Sequence, residues 1–547
     1  MTPQTRPEQR PEERSQQLSQ QRPEQQPAAE ENVAAPWLRP HPLTVVSTAL
    51  SMAVLLGGAM LIAGAAVMFN GSFAIGIPLA LSGFAAAAAI TAIEWHLVRH
   101  TRYRVTEERV ESRTRLLAEK HRTIARDRVR SVDVSADIWA RLVGLRKVTI
   151  GTGQNAATAQ GDELKLELVT AAEADRLRRE LLRRSPAPAA SVAEAAQEVA
   201  AAQADLSEAI SRMRLGWFGV APLSIATPAL GVGAIGGLYK LVDWFSNEYA
   251  ARTAVDVYQL LMASALVLIP VAAVAVLVAG AVAATALEVE AWWNYRLDRE
   301  ADGTLRIRRG LLNTKSVSLQ PSRLRGVELQ QRLLLRRLGF ARVKAVATGL
   351  GTKEQNETAA KSDLGPDMPV AEAQRIAANV LREDDSPVRS PLLRRHPRAA
   401  LRRRLTRAVA ACAAACAVGG AAVAGAGMLG WDWVPAWVWA APLALLPFAL
   451  LYAVDLYRGL GSAPQGRYLL LRRGSLARRT VALRTDGIIG WSVKRSPFQR
   501  RAGLATIGAT TAAGAGVYRA PDLDLSDGLG MADESVPGLL APFLRRA

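Results

Sequence analysis

Long apolar segments separated by long polar ones dominate the pattern along this chain. Six of the apolar segments come close to the roughly 20 residues that a helix needs to cross the roughly 30 Å hydrocarbon layer of a bilayer. They come in three pairs, and a much longer polar segment follows each pair. The pattern therefore predicts six transmembrane helices in three hairpins, at 43–68 with 73–93, 217–241 with 257–287, and 405–429 with 434–454.

The polar segment after each hairpin repeats one spacing without gaps. An apolar residue opens the pattern, others follow 5, 8 and 10 residues later, an Arg stands at 17 and a Gly at 20. Such a fixed spacing is typical of one supersecondary unit that is used repeatedly. The three copies are Ile124, Val129, Val132, Val134, Arg141 and Gly144; Leu319, Leu324, Val327, Leu329, Arg336 and Gly339; and Leu483, Ile488, Trp491, Val493, Arg500 and Gly503.

Each copy predicts the same order of elements. Alternating apolar and polar residues rich in Val, Ile, Tyr and Thr indicate antiparallel strands. A short helix comes next, and we expect the repeated Gly to end it in the left-handed conformation. More strands follow, and a closing helix with one apolar face completes the unit. We expect the closing helices at 171–184, 370–383 and 534–546.

These elements divide the chain into nine parts. The first 40 residues are rich in Gln, Pro, Glu and Arg and contain too few apolar residues to fold alone, which predicts a disordered tail at 1–40. The hairpins are placed at 41–95, 213–289 and 405–457, with a helical linker at 185–212 and a basic linker at 384–404. The three repeat domains are called block one (96–184), block two (290–383) and block three (458–547).

Charge gives the expected orientation of these parts. The chain has a net charge of +19, and seven Arg residues lie between positions 394 and 407, before the fifth apolar segment. The charged residues of the turns within the hairpins are four acids, Asp243, Glu248, Asp256 and Asp432, and one base, Arg252. Because basic flanks are retained in the cytoplasm, we expect both termini and all three blocks on the cytoplasmic side of the plasma membrane. Nucleic acid is the competing explanation of a basic chain, but no recognition helix or stacking motif accompanies the charge, so we expect no nucleic-acid partner.

Three groups of residues carry a resemblance to a known family. They are a Tyr in the strand that leaves each hairpin (Tyr103, Tyr295, Tyr468), the Arg128-Val129-x-x-Val132 and Arg323-Leu324-x-x-Val327 strands, and the segments RLVGLRKVTI, RRLGFARVKA and RRAGLATIGA. In these the chain resembles membrane-anchored bacterial proteins with pleckstrin-homology-like domains, of the kind called YdbT-like. The resemblance implies an α-helical multi-pass membrane protein with three cytoplasmic α+β domains, each a bent antiparallel barrel or sandwich closed by a C-terminal helix. It does not imply an enzyme activity. Block three departs from the pattern, since Gly487 replaces the Arg of the other two copies.

Motifs of catalysis and metal binding are missing from the sequence. It contains no phosphate-binding loop, metalloprotease, nucleophile-elbow or kinase signature. Cys412 and Cys416 lie four residues apart in an apolar segment without His or acidic neighbours, which is typical of buried structural Cys. We therefore expect a protein that is not an enzyme and that holds no metal and no cofactor.

The candidate site consists of basic residues that contact anionic lipid. Each Lys or Arg near an anionic leaflet contributes about 1 kcal/mol of attraction. The structural alternatives stay open: the repeated Arg can cap or solvate the short helix, and the cluster before the fifth apolar segment can serve topology alone. The candidates are Arg141, Arg146, Lys147, Arg336, Arg337, Arg500, Arg501, Arg402, Arg403 and Arg404.

Two functional hypotheses follow. The first is a plasma-membrane scaffold whose blocks bind anionic lipid, a protein partner or a second copy of the chain, with exposed strand edges that can accept a partner strand. The second is a transporter of a lipid or small amphiphile through the hairpins. A transporter needs polar residues that face a cavity in the middle of the spans, whereas Ala, Gly, Val and Leu dominate there and favour close helix packing.

Overall fold

The computed structural model describes residues 36–69, 71–106, 108–115, 119–126, 129, 131–151, 163–182, 208–245, 265–348, 362–389, 393–429 and 435–543. The predicted tail up to residue 35 and the predicted helical linker up to residue 207 lie outside these ranges. The helices are α1 (Leu43–Met52), α2 (Gly58–Phe69), α3 (Phe73–His100), α4 (Ile138–Leu142), α5 (Ala171–Leu182), α6 (Thr227–Phe245), α7 (Ala265–Trp292), α8 (Leu333–Arg337), α9 (Val370–Leu381), α10 (Arg398–Met428), α11 (Leu446–Arg458), α12 (Pro497–Arg501) and α13 (Leu525–Ser535).

Five helical stretches of the described chain have the length and apolar composition to cross a membrane. They correspond to five of the six predicted spans and run over Leu43–Phe69, Phe73–His100, Ile269–Trp292, Arg398–Met428 and Trp437–Arg458. The first of them joins α1 to α2 through the π-helical turn Ala53–Gly57.

The predicted span at 217–241 is a bent pair of helical segments and not one continuous helix, so the described chain has five candidate spans, or six if this pair counts as one. A 3-10 helix at Leu215–Leu223 meets the next helical segment at an angle of 84°. Pro222 lies at this break, where its missing N–H and fixed φ interrupt a regular helix. Trp217 and Phe218 are only 5 % and 7 % exposed, because they pack in the core of block two. The apolar composition that suggested a membrane-spanning start therefore serves the core of a domain.

The strands of block one are β1 (Thr101–Val105), β2 (Arg109–Arg115), β3 (Glu119–Ala125), β4 (Ser131–Ala136), β5 (Leu145–Gly151) and β6 (Glu163–Thr170). The strand β7 (Glu208–Arg212) precedes the second hairpin. Those of block two are β8 (Arg296–Arg299), β9 (Leu305–Arg309), β10 (Thr314–Leu319), β11 (Leu324–Arg332), β12 (Phe340–Ala347) and β13 (Met368–Pro369). Those of block three are β14 (Gly461–Gln465), β15 (Tyr468–Arg473), β16 (Ala477–Arg484), β17 (Gly490–Lys494), β18 (Leu504–Thr510) and β19 (Val517–Asp524). In the described chain these strands form four antiparallel sheets, with the orders β1-β2-β3, β6-β5-β4-β10-β9-β8-β7, β13-β12-β11-β16-β15-β14 and β17-β18-β19.

The strand β7 corrects the prediction of a helix through residue 212. It pairs with β8, and the buried side chain of Ile210 joins the core of block two. Its long-range pairing therefore overrides the local helical propensity of this Ala-rich and Glu-rich segment.

Two of the four sheets are shared between neighbouring blocks. In the first junction, β4 of block one pairs with β10 of block two, and in the second, β11 of block two pairs with β16 of block three. Ser135 lies opposite Lys315, and Gln330 lies opposite Arg479. By the repeat spacing, Ser135 and Gln330 are equivalent, and so are Lys315 and Arg479. Both junctions therefore have the same register, and the blocks follow one another head to tail.

The repeated glycines end the short helices as predicted. Gly144, Gly339 and Gly503 have φ values of +76°, +74° and +69° and follow α4, α8 and α12. The closing helices α5 and α9 also lie where the apolar periodicity placed them. In block three the closing helix is α13, which ends at Ser535, so the prediction of a helix at 534–546 is wrong. The side chain of Asp524 caps its first turn, a start signal that lies upstream of the predicted position.

Candidate functional site

A cleft lies at the first junction, where β4 of block one meets β10 of block two. It has a volume of about 750 Å³. Of the described residues that line it, seven are basic and one, Asp175, is acidic. We call it the junction cleft, and its basic residues are Arg141, Arg146, Arg296, Arg306, Arg308, Arg309 and Lys315.

Strand alternation places the arginines of block two in the cleft. Leu305 and Ile307 of β9 point into the core of block two, where they are buried. Arg306 and Arg308 alternate with them and therefore point to the opposite face of the sheet. The sequence of β9 thus fixes both the packing of the strand and the positive charge of the cleft wall.

The single carboxylate of the cleft is shared by two arginines. Asp175 accepts a hydrogen bond from Nη1 of Arg146 at 3.3 Å and from Nη2 of Arg306 at 3.2 Å. Burial, followed by repulsion from Arg178 and Arg308, lowers the pKa of Arg306 to about 10. The positive charge of the cleft therefore exceeds the negative charge available in it, and a bound anion would stabilise it.

Two cations of the cleft have neither a hydrogen-bond nor an ion-pair partner for their side chains among the described residues. They are Arg308, whose side chain is exposed, and Lys315. Arg296 differs, since its Nε lies 2.7 Å from Oδ1 of Asp298. Arg308 and Lys315 are therefore the lining cations best placed to bind an anion from outside the chain.

The cleft lies at the ends of two apolar helices. The turn between β9 and β10 is tied to the end of α7, because the N–H groups of Leu312 and Asn313 donate to the carboxylate of Glu290 at 2.9 and 3.0 Å. Leu311 and Leu312 of this turn are 38 % and 47 % exposed. A second cavity of about 470 Å³ shares Lys315 with the cleft and extends to the hydroxyl-bearing face of α1, formed by Thr44, Ser47, Thr48 and Ser51.

The repeated arginine has a structural role in the first two blocks. Nη1 of Arg141 donates to the carbonyl oxygen of Leu311 at 2.5 Å, and Nη1 of Arg336 donates to that of Ser475 at 3.3 Å. Leu311 and Ser475 occupy the same repeat position. Each arginine therefore binds the turn of the following block, and we call the arginine at this repeat position the clamp arginine. Arg336 also forms an ion pair with Asp455, whose two oxygens lie 3.2 Å from its Nη2.

The ten predicted contacts do not form one site. Arg141 and Arg146 line the junction cleft, and Lys147 lines the adjoining cavity. Arg403 and Arg404 instead bind the carboxylate of the buried Asp522 in block three. The remaining candidates other than Arg336 line neither cavity and have no ion-pair partner in the part of the chain that the structure describes: Arg337, Arg402, Arg500 and Arg501.

The cations that block two contributes to the cleft were not among the ten predicted contacts. A usable signal was present, because Arg308-Arg309-Gly310 recurs as Arg472-Arg473-Gly474 at the same repeat position. These residues precede the first apolar position of the repeat, so a pattern that starts at Leu319 or Leu483 does not include them. Among the described residues, no group of three or more His, Cys, Asp or Glu side chains is arranged to hold a metal ion.

Comparison with known families gives one result. A model described as Bacterial PH domain matches the chain three times, over residues 51–185, 255–384 and 409–534. The matches cover more than half of the chain. The first two include blocks one and two, the third includes block three up to residue 534, and each begins in the apolar sequence that precedes its block. No curated protein and no solved structure matches the chain.

Proposed function

The chain belongs to the bacterial PH domain family, and we propose that it is a plasma-membrane scaffold whose junction cleft binds the anionic headgroup of a bilayer lipid. One observation carries this proposal: seven basic residues and one acidic residue line a cleft that lies at the ends of two apolar helices. The guanidinium groups match the phosphate oxygens of a headgroup in shape and charge.

The proposed setting follows from composition and charge. The apolar helices expose many large apolar side chains, such as Ile269 at 60 % and Val418 at 70 %, which a bilayer would cover. The Arg-rich start of α10 favours a cytoplasmic position for the blocks. Leu311 and Leu312 would then lie near the boundary between headgroups and acyl chains, and Arg308 and Lys315 would lie at the depth of the phosphates.

The lining of the cleft favours binding over catalysis. The described residues that line it include no Cys, His or Glu, and the one carboxylate among them, Asp175, is bound by Arg146 and Arg306. A nucleophile and a general base within hydrogen-bond reach are the usual requirement for covalent catalysis, and this lining offers no such pair. We therefore propose a non-enzymatic binding function.

The test uses the full-length protein purified in detergent. Short-chain phosphatidylglycerol is titrated against it by calorimetry, with phosphatidylcholine of the same chain length for comparison. We expect preferential binding of phosphatidylglycerol, and weaker binding as added salt screens the charges. The double variant Arg308→Ser with Lys315→Ser should bind about 10 to 30 times more weakly, given about 1 kcal/mol for each charge.

The matched control removes two basic residues that lie outside the cleft. Arg337→Ser with Arg501→Ser changes the net charge by the same amount and should leave phosphatidylglycerol binding unchanged. Equal binding of the two lipids, or equal weakening by the control, would contradict the proposal. A lipid-exchange assay in vesicles separates it from the transporter hypothesis, since a scaffold should not move lipid between leaflets.

A further inference from the structure

Block three presents the surface that blocks one and two use to bind the block after them. The strands β4 and β11 occupy equivalent positions in the repeat, and each pairs with a strand of the following block. The equivalent strand of block three is β17, which pairs with β18 only. In the described chain, the other edge of β17 is open.

The exposure of one repeat position differs between the edges of β4 and β11, which are paired with the next block, and the open edge of β17. Val134 and Leu329 are each 4 % exposed, whereas the equivalent Val493 is 44 % exposed. The clamp arginine shows the same contrast. Arg141 and Arg336 donate to a carbonyl of the next block, whereas Arg500 has no such acceptor among the described residues. Block three therefore has an exposed apolar side chain, Val493, and a cation, Arg500, that a further strand would contact.

The charges of the open edge differ from those of the two used edges. At the second junction, Oε1 of Glu328 lies 3.6 Å from Nε of Arg479 in the next block. The equivalent residue is also acidic in block one, Asp133, but it is Ser492 in block three. The neutral Ser135 and Gln330, which face Lys315 and Arg479, are replaced by Lys494. Compared with the two used edges, the open edge therefore lacks one negative charge and carries one additional positive charge.

One backbone donor is also lost. At the second junction, the N–H of Leu333 donates to the carbonyl oxygen of Leu476 at 2.8 Å. The equivalent residue in block three is Pro497, which has no N–H. A strand identical to those of the first two junctions would therefore fit the third edge poorly.

A second copy of the chain is disfavoured as the occupant. The first strand edge of the chain without a neighbour in the described residues is β3. The register of the two existing junctions would place Lys494 directly opposite Lys120 of β3. Like charges directly opposite each other destabilise strand pairing.

We propose that β17 is a docking edge for an antiparallel strand of a different protein that carries a carboxylate opposite Lys494. Main-chain hydrogen bonds to β17 would supply the affinity, as in other complexes formed by strand addition. Contacts with Val493 and Arg500 would complete the same surface that joins the blocks to one another. This inference does not depend on lipid binding, because none of these residues lines the junction cleft.

The experiment uses the full-length protein in nanodiscs and two labelled peptides that are based on the sequence of β16. One is the unmodified segment Ala477–Arg484, and the other carries Arg479→Glu, which places a carboxylate opposite Lys494 in the register of the junctions. Fluorescence polarisation should show at least about fivefold tighter binding of the acidic peptide. Hydrogen exchange should slow at residues 490–494 when this peptide is bound.

Reversing the charge of the edge provides the decisive comparison. Lys494 is exposed, so Lys494→Glu should leave the fold intact and should reverse the preference to the unmodified peptide. Arg337→Glu, a charge reversal on another exposed residue, should leave the preference unchanged. The proposal is overturned if neither peptide slows exchange in β17, if both bind equally whatever the residue at 494, or if wild-type chains associate with each other through β17.

Discussion

At the residue scale, the repeated arginine holds the blocks together. Arg336 donates to the carbonyl oxygen of Ser475 and to the carboxylate of Asp455, while the neighbouring Arg337 is exposed. We expect Arg336→Ala to lower the free energy of unfolding by about 1–2 kcal/mol, because charge-assisted hydrogen bonds are lost. Arg337→Ala should have little effect. Thermal unfolding in detergent measures both, and equal effects would show that the clamp does not contribute to stability.

A buried histidine predicts a dependence of stability on pH. Burial lowers the pKa of His396 to about 4, from its ordinary value of 6.5. In the unfolded chain His396 therefore binds a proton below about pH 6.5, whereas in the folded chain it stays neutral down to about pH 4. Stability should fall by up to about 1.4 kcal/mol per pH unit as the pH drops through this window. The variant His396→Gln should lose this dependence between pH 6.5 and 5, and an unchanged pH profile would contradict the assignment.

The position of a clamp arginine could be predicted from the sequence, but its role could not. Spacing alone marks Arg141, Arg336 and Arg500 as equivalent. The acceptors of Arg141 and Arg336 lie in another block, more than a hundred residues away in sequence. A pattern within one block contains no information on such a partner. For the same reason, the lipid-contact hypothesis grouped residues that the fold separates.

At the scale of elements, the repeated glycine is needed because the backbone at its position adopts a left-handed conformation. Gly144 has a φ of +76°, and a Cβ built on it would meet no atom within 4 Å. The cost of a substitution therefore comes from the backbone conformation and not from a clash. Gly144→Val should destabilise block one by about 1–2 kcal/mol. Gly144→Asn should cost less, since Asn adopts the left-handed region more readily. Protease resistance of the two variants tests this order.

The junctions predict a contrast between two equivalent glycines. A Cβ on Gly326 of β11 would overlap the carbonyl oxygen of Ala482 on β16, whereas a Cβ on Gly490 of β17 would meet nothing. Gly326→Ala should cost about 3 kcal/mol, because it forces the paired strands apart. Gly490→Ala should change stability by less than about 0.5 kcal/mol. Chemical unfolding of both variants tests the contrast, and a large loss for Gly490→Ala would contradict an open edge.

The elements were more predictable than their pairing. Period-two alternation and the repeated Gly indicated strands and short helices within each block, because both signals are local. Pairing between blocks depends on contacts far apart in sequence, so the shared sheets and the strand β7 were not foreseen. The bend after Leu223 was missed for a related reason, since Trp217 and Phe218 are apolar for the core of block two and not for a lipid environment.

At the scale of the whole molecule, the Arg-rich start of α10 and the apolar helices together predict on which side of the membrane the blocks lie. If the blocks are cytoplasmic, the short turn between α2 and α3 lies outside the cell, while the turn between β8 and β9 lies inside. Ser72 and Ala301 are exposed residues of these two turns. The native Cys412 and Cys416 are first replaced by Ala, so that a single introduced Cys reports on each position.

In intact cells, a membrane-impermeant maleimide should label Ser72→Cys, since that side chain would face the outside. It should label Ala301→Cys only after the membrane has been permeabilised, because the Arg-rich flank of α10 favours retention of the blocks inside. Labelling of Ala301→Cys in intact cells would place the blocks outside and would remove the cytoplasmic leaflet as the source of their lipid. The same result would also place the junction cleft and the β17 edge out of reach of cytoplasmic partners.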